Sequence, residues 1–191
     1  MEIKDFVKVY DNLIPLEKIS SFIKYCNTLK YEKAKILGNT ENPDPVNTNM
    51  RNVGHYVLHD VKNFSAAHWN NFLLKYIKDL TQEYSSYFNC GTCASNVETI
   101  EILKYEKGMF YKTHTDHHKR APRTLSFVIF LNDDYKGGSL NFYNPFNIKE
   151  KTIEVKPKAG RFVVWPSNFV YPHEAGEVIE GTRFAVVSWV L

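Results

Sequence analysis

The feature that most constrains the fold is a change in the spacing of apolar residues midway along the chain. In the first half these residues recur at helical intervals, as in the stripe formed by Trp69, Leu73, Ile77 and Leu80. From residue 96 onward they alternate with polar residues in short segments separated by Gly, Pro and Asn turns. Helices followed by many short strands predict an α+β protein, mainly β, whose strands close into a sandwich or barrel.

The same spacing predicts the individual elements. Residues 16–29 and 65–88 are predicted helices, with Pro15 in the first turn of one and Ser65 as the N-cap of the other. Residues 35–49, rich in Asn and Pro, are a predicted loop. The predicted strands cover residues 51–58, 97–105, 124–131, 139–143, 152–155, 160–165 and 183–190.

The length of 191 residues, without a linker, predicts a single domain, 1–191. Within it we expect residues 1–95 to supply helical support and the first strands, and residues 96–191 to form the strand-rich core. The net charge of +3 is too small to indicate a nucleic-acid partner. No segment approaches the roughly 20 apolar residues of a membrane span, and the N-terminus lacks a signal-peptide pattern. We therefore expect a cytoplasmic protein; its oligomeric state is left open.

The three cysteines are Cys26, Cys90 and Cys93, an odd number typical of a reducing compartment. Cys90 and Cys93 form a C-x-x-C pair, but the pair follows a helix instead of opening one, and no second pair completes a zinc site. We interpret them as incidental loop cysteines, with a disulfide or metal role as the alternative.

The sequence His114-Thr115-Asp116 offers two metal ligands on one face of an extended chain, because residues two apart point to the same side. His173, 57 residues later, is a candidate for the third ligand. Two imidazoles and one carboxylate leave open coordination positions, as non-haem Fe(II) oxygenases require. The H-x-D pair alone is a weak signal that occurs by chance in many proteins.

Arg183 strengthens that hypothesis. It lies ten residues after His173 and begins a very apolar strand, where a buried guanidinium is costly unless an anion pairs with it. A dicarboxylate co-substrate supplies such an anion, which a guanidinium can bind through two hydrogen bonds.

In these motifs the chain resembles the 2-oxoglutarate- and Fe(II)-dependent dioxygenases of the prolyl 4-hydroxylase type. Besides the metal and arginine motifs, matching elements occur in order over most of the length. They are Tyr105, Gly108 and Tyr111; Arg123-Thr124 before Phe130-Leu131-Asn132; Gly137-Gly138 before Ser139-Leu140-Asn141-Phe142; Pro157 to Arg161 before Trp165; Pro172-His173-Glu174; and Gly181-Thr182-Arg183.

The resemblance implies a double-stranded β-helix, or jelly roll, with helices outside the major sheet. It implies Fe(II) held by His114, Asp116 and His173, and 2-oxoglutarate whose far carboxylate binds Arg183 while Tyr105 lines the pocket. The implied reaction uses O₂, releases succinate and CO₂, and hydroxylates a substrate, with ascorbate as the expected reductant. By the same resemblance Arg51 is a candidate substrate contact, with a surface arginine as the alternative.

The chain departs from the family at Phe130, where prolyl hydroxylases often place a tyrosine whose hydroxyl helps to bind the co-substrate. Ser126, Thr124 or a water are the candidate replacements for that donor. The expected substrate is a prolyl residue in a peptide or protein. A free amino acid or other small molecule is the alternative within the enzymes, and a catalytically silent jelly-roll binding module is the alternative outside them. The modest charge disfavours nucleic-acid demethylation.

Overall fold

A computed structural model describes residues 2–36, 44–58, 63–90 and 96–191. Within these residues the chain forms a short 3-10 helix at Ile3–Phe6, two α-helices and fourteen strands. The helices are α1 (Leu16–Cys26) and α2 (Phe64–Phe88). The strands are β1 (Lys8–Tyr10), β2 (Glu32–Lys33), β3 (Arg51–Asn52), β4 (Gly54–Val57), β5 (Val97–Tyr105), β6 (Phe110–His114), β7 (Leu125–Phe130), β8 (Lys136–Gly137), β9 (Leu140–Asn144), β10 (Asn147–Val155), β11 (Arg161–Pro166), β12 (His173–Ala175), β13 (Val178–Glu180) and β14 (Arg183–Val190).

The strands form two main antiparallel sheets. The major sheet has the order β1-β11-β7-β14-β5-β4-β2, and the minor sheet has the order β10-β9-β12-β6-β3. One buried cluster joins Val128 and Phe130 of the major sheet to Leu140 and Phe142 of the minor sheet, so the two sheets face each other. This arrangement is the double-stranded β-helix, and the predicted fold class is confirmed.

Strand β7 is buried along its whole length because both of its faces are covered. Phe127 and Ile129 belong to the cluster that contains the helix residues Phe22, Trp69 and Leu73. Val128 and Phe130 point the other way, toward the minor sheet. The helices therefore cover the outer face of the major sheet, and the site must lie on its inner face, between the sheets.

The predicted strand 51–58 is two strands. Arg51–Asn52 pairs with β6 in the minor sheet, whereas Gly54–Val57 pairs with β5 in the major sheet. The fully buried Val53 lies between them. The chain therefore crosses from one sheet to the other at this residue.

Smaller differences concern the ends of elements. The N-cap of α2 is Asn63, not Ser65, because the Asn63 side chain accepts hydrogen bonds from the backbone N–H groups of Ser65 and Ala66. Residues 37–43 of the predicted loop lie outside the described residues, as does Cys93, so the prediction for Cys90 and Cys93 is not addressed. Neither helix in the described ranges is long and apolar enough to cross a membrane.

Candidate metal centre

Two neighbouring strands of the minor sheet bring the predicted metal ligands together. His114 ends β6 and His173 begins β12, and the two residues are direct partners in the antiparallel pairing. Asp116 follows two residues after His114. These three side chains are the one group in the described ranges with at least three potential metal ligands close together. Sequence parity and strand register thus converge on the same three residues.

The distances suit a single divalent ion. The ligand atoms of the three residues all lie within 4.8 Å of one another. Nε2 of His114 is 3.5 Å from Oδ1 of Asp116, and Nε2 of His173 is 3.5 Å from Oδ2 of Asp116. Metal–ligand bonds of about 2.1 Å at right angles place adjacent donor atoms roughly 3 Å apart. A small closure of the three side chains would complete such a site.

The backbone selects the imidazole tautomers that a metal needs. Nδ1 of His114 is 2.8 Å from the carbonyl oxygen of Lys112, and Nδ1 of His173 is 3.0 Å from that of Tyr171. A carbonyl oxygen can only accept, so Nδ1 carries the proton in both rings. The lone pair of each Nε2 then faces Asp116, as in metal sites whose histidines are oriented by an outer hydrogen bond.

The electrostatics of the three groups also favour a cation. Burial opposes ionisation of Asp116, but His173, His114 and the Ser126 hydroxyl outweigh it and hold the pKa of this carboxyl below its usual range. Burial lowers the pKa of His173 to about 4. At neutral pH the site therefore combines a carboxylate with a neutral His173 imidazole, the protonation states in which both groups bind metals.

Ser126, one of the candidate replacements for the donor missing at Phe130, contacts Asp116 instead. Its hydroxyl donates to Oδ2 of Asp116 at 2.6 Å and lies 2.7 Å from the hydroxyl of Ser167. Thr124 bonds through its backbone to Val190, at the opposite end of β7 from Phe130. Neither Ser126 nor Thr124 therefore lies where it could replace a hydroxyl missing at Phe130. Ser126 points into the pocket because it shares the strand parity of Val128 and Phe130.

The three candidate ligands line one cavity together with Tyr105 and Arg183. Arg183 is only 1% exposed, and its Nε and Nη1 atoms are buried without a hydrogen-bond partner. The guanidinium lies 4.7 Å from the ring centre of Tyr105 and 4.9 Å from that of Phe130. No acidic side chain in the described ranges forms a salt bridge with the Arg183 guanidinium. A buried guanidinium without a counter-ion fits a pocket that accepts an anionic ligand.

Tyr105 and Arg183 are direct partners between β5 and β14. Burial raises the pKa of Tyr105, so its hydroxyl stays protonated at neutral pH. The aromatic residues Trp165 and Trp189 also line the cavity. Trp165 meets His173 edge-on at 4.9 Å between ring centres. The pocket thus has a polar end at Arg183 and aromatic walls beside the candidate metal ligands.

Arg51 lies at the pocket mouth. Its guanidinium is 4.8 Å from the ring centre of Tyr111, and that ring stacks on His114 at 3.6 Å. Its Nη1 donates to the carbonyl oxygen of Lys35 at 2.9 Å, and its Nη2 lies 3.6 Å from the Glu101 carboxylate. Arg51 is therefore held in place beside a candidate ligand and is not a freely solvated surface arginine.

Other histidines lie apart from this group. Nδ1 of His117 is 2.9 Å from the carbonyl oxygen of Arg123, and His55 lies 3.1 Å from Glu101. The three-ligand group contains neither His117 nor His118.

Comparison with known proteins gives a consistent result. Residues 100–191 match the sequence model of a family described as the 2OG-Fe(II) oxygenase superfamily. A PKHD-type hydroxylase of Synechococcus sp. (strain JA-2-3B'a(2-13)) is 34% identical over 102 residues, which cover 49% of this chain and 43% of that protein. Prolyl 3-hydroxylase 3 of Mus musculus is 40% identical over 67 residues, 35% of this chain and 9% of the relative. The chain spans less than half the length of these curated relatives.

Among solved structures, a Pseudomonas putida prolyl-4-hydroxylase has a TM-score of 0.71 with this chain. The match covers 97% of this chain and 92% of the other, at 18% sequence identity. That likeness shows a shared fold, and the family match covers the strands that carry all three candidate ligands and Arg183. Residues 100–191, just under half of the chain, are therefore similar to the 2OG-Fe(II) oxygenase superfamily, and the fold is similar to that of a prolyl-4-hydroxylase.

Proposed function

We propose that this protein is an Fe(II)- and 2-oxoglutarate-dependent dioxygenase that hydroxylates prolyl residues in a peptide or protein. His114, Asp116 and His173 would hold the iron, and Arg183 would bind the far carboxylate of 2-oxoglutarate. The observation that carries the proposal is the buried, partnerless guanidinium of Arg183 in the same cavity as the three-ligand group. A metal site alone would fit many reactions, whereas a metal beside an anion site fits a chelating dicarboxylate.

Bound iron and 2-oxoglutarate would supply the oxidative chemistry, in which O₂ is consumed and succinate and CO₂ are released. The protein's own side chains orient the co-substrate and enclose the reaction site. Arg183 fixes one end of the co-substrate, and the protonated Tyr105 hydroxyl is a donor toward it. Trp165 and Val128 line the same cavity and exclude water from the metal face.

The prolyl substrate is supported by the shape of the approach to the metal ligands. A second, open cavity reaches His114 and Asp116 from the surface, past Arg51, His118 and Trp189. An approach that is open to the surface can admit a residue that is part of a longer chain, and the mouth position of Arg51 suits contact with a peptide backbone. The names of the relatives, PKHD-type hydroxylase and prolyl 3-hydroxylase, support the same substrate class. A cytoplasmic location and a requirement for ascorbate are further parts of this proposal.

The oxygenase activity can be tested without a prime substrate. Purified protein supplied with Fe(II), 2-oxoglutarate and ascorbate should release succinate slowly, and the release should require O₂. Asp116→Ala should abolish it, because the variant loses a ligand. Asp79→Ala is the matched control, since Asp79 lies on the exposed face of α2 in an ion pair with Lys75. Failure of the wild type to bind iron and release succinate would refute the proposal.

The prolyl specificity needs a separate assay. Proline-containing peptides and free proline are incubated with the complete system, and products are analysed by mass spectrometry. We expect a gain of one oxygen on a prolyl residue of a peptide. Reaction of free proline without reaction of any peptide would favour the small-molecule alternative. Arg51→Ala should raise the peptide KM more than it changes uncoupled succinate release, because Arg51 lies at the mouth and not at the anion site.

A further inference from the structure

We propose that the hydroxyl of Tyr135 completes the anion site of Arg183 and binds the far carboxylate of the co-substrate. The inference rests on the proposed function and deepens it. It assigns the donor that the sequence lacks at Phe130 to a residue five positions later, in the turn between β7 and β8.

The first observation is a set of unsatisfied polar atoms around Arg183. Nε and Nη1 of Arg183 and the hydroxyl oxygen of Tyr135 are all buried without a hydrogen-bond partner. Leaving such groups unpaired in the interior is unfavourable, because each has lost its hydrogen bonds to water. All three can donate a proton, so an acceptor such as a carboxylate, with two oxygens and about four lone-pair sites, would satisfy them together.

The second observation is that Tyr135 and Arg183 lie side by side against one glycine. A Cβ atom built on Gly138 would be 2.9 Å from Cε2 of Tyr135 and 3.2 Å from Cδ of Arg183. Cε2 is adjacent to the ring carbon that carries the hydroxyl, so this end of the tyrosine faces the arginine side chain. Gly138 thus makes the room in which the phenol and the guanidinium come together.

The chemistry of the phenol suits this role. Burial raises the pKa of Tyr135, outweighing the lowering effect of nearby Arg183, so the hydroxyl is protonated and neutral. A neutral donor beside the guanidinium adds a hydrogen bond to the carboxylate without adding charge repulsion. Among the hydroxyls considered for this function, Ser126 is already bonded to Asp116. The Tyr135 hydroxyl has no hydrogen-bond partner in the described ranges, and the ring edge next to it lies beside the Arg183 side chain at Gly138.

The test compares two ligands that differ in the far carboxylate. Protein loaded with Mn(II) is titrated calorimetrically with 2-oxoglutarate and with 2-oxopentanoate, which has the same carbon chain without that carboxylate. Tyr135→Phe should weaken 2-oxoglutarate binding about tenfold or more, the effect of one buried hydrogen bond to a charged group. It should leave 2-oxopentanoate binding unchanged. Tyr143→Phe is the control, because it also removes a tyrosine hydroxyl, one that bonds to Glu174 and not to the groups around Arg183.

Each outcome decides between the two proposals. If wild-type protein selects 2-oxoglutarate over 2-oxopentanoate but Tyr135→Phe keeps the same selectivity, the assignment of Tyr135 is overturned and the proposed function stands. Equal weakening of both ligands by Tyr135→Phe would also overturn it, since a packing defect does not distinguish the carboxylate. If the wild type shows no selectivity at all, the proposed co-substrate is wrong, and the role of Tyr135 falls with it.

Discussion

At the scale of single residues, Asp116 depends on a serine that is not itself a candidate ligand. The fully buried Ser126 donates its hydroxyl proton to Oδ2 of Asp116. This bond fixes the rotation of the carboxylate and helps to keep it ionised. Ser126→Ala should weaken metal binding about 10- to 100-fold, the usual effect of losing an outer hydrogen bond to a ligand. Titration of the apoprotein with Mn(II), followed by electron paramagnetic resonance, measures it.

Ser188→Ala is the matched control for this prediction. Ser188 is equally buried, and its hydroxyl donates to the carbonyl oxygen of Thr99 at 2.6 Å. Its removal also deletes one buried hydrogen bond but leaves Asp116 untouched. Equal metal affinities in the two variants would contradict the role given to Ser126, whatever their stabilities.

The site residues that could be predicted from the sequence are those whose side chains are unusual for the segment in which they lie. Arg183 is a charge in an apolar strand, and His114 and Asp116 share a face by strand parity. Ser126 and Tyr135 carry no such signal, because a serine in a strand and a tyrosine in a turn are ordinary. The contacts of Ser126 and Tyr135 are set by strand register and by the tight turn at Gly138, and neither can be recognised from the local sequence. The metal-ligand, Arg183 and Tyr105 assignments stay predictions until ligand binding is measured.

At the scale of elements, Gly137 of β8 lies too close to β13 to carry a side chain. Gly137 has φ +80° and pairs with Val178 of β13; a Cβ there would lie 2.2 Å from the carbonyl oxygen of Glu177. Gly137→Ala should therefore separate β8 from β13, with a loss of unfolding free energy of about 3 kcal/mol or more, beyond the cost of the backbone angle. Urea unfolding followed by circular dichroism measures the loss.

Gly108→Ala isolates the contribution of backbone strain. Gly108 has the same φ of +80°, but a Cβ built there meets nothing within 4 Å. Its replacement should cost only about 1–2 kcal/mol, the price of the left-handed conformation for an L-residue. Equal losses for Gly108→Ala and Gly137→Ala would mean that the contact with β13 contributes nothing.

The elements that the sequence did not predict are short or divided. Strands β8, β12 and β13 have two or three residues each, too few for an alternating pattern to be recognised. The segment 51–58 has the composition of one strand, yet it pairs with β6 and then with β5. Pairing partners, not local preference, decide where such a strand ends. The long apolar strands β5 and β14 were predicted closely because many residues repeat the pattern.

At the scale of the whole molecule, the two halves of the chain are interleaved. The first 58 residues supply β1, β2 and β4 to the major sheet and β3 to the minor sheet, besides α1. The spacing of apolar residues distinguished a helical first half from a strand-rich second half. It could not show that short strands of the first half pair with the outer strands of both sheets. Some of this edge pairing joins residues far apart along the chain, such as Arg51 with Tyr111 and Val9 with Val163.

The clearest of these long-range contacts anchors the first strand and leads to a pH-dependent prediction. Asp11 accepts hydrogen bonds from Arg161 at 2.8 and 2.9 Å and from Lys158 at 2.9 Å. Arg161 and Lys158 hold the pKa of Asp11 below its usual range. The folded state therefore binds this proton less readily than the unfolded chain does, and the stabilisation is present at neutral pH and lost as the pH falls below about 4.

We expect Asp11→Asn to lower the free energy of unfolding by about 1–2 kcal/mol at pH 7, a reduced value because Asp11 and its partners are partly exposed. The difference from wild type should shrink at pH 3, because the unfolded wild-type chain takes up a proton at Asp11 there, whereas the lowered pKa keeps Asp11 ionised in the folded protein. Urea unfolding of both proteins at the two pH values measures it. Asp79→Asn serves as the control, because the exposed pair of Asp79 with Lys75 should contribute little at either pH. A difference between Asp11→Asn and wild type that stays constant from pH 7 to pH 3 would show that shape, and not charge, anchors β1 to β11.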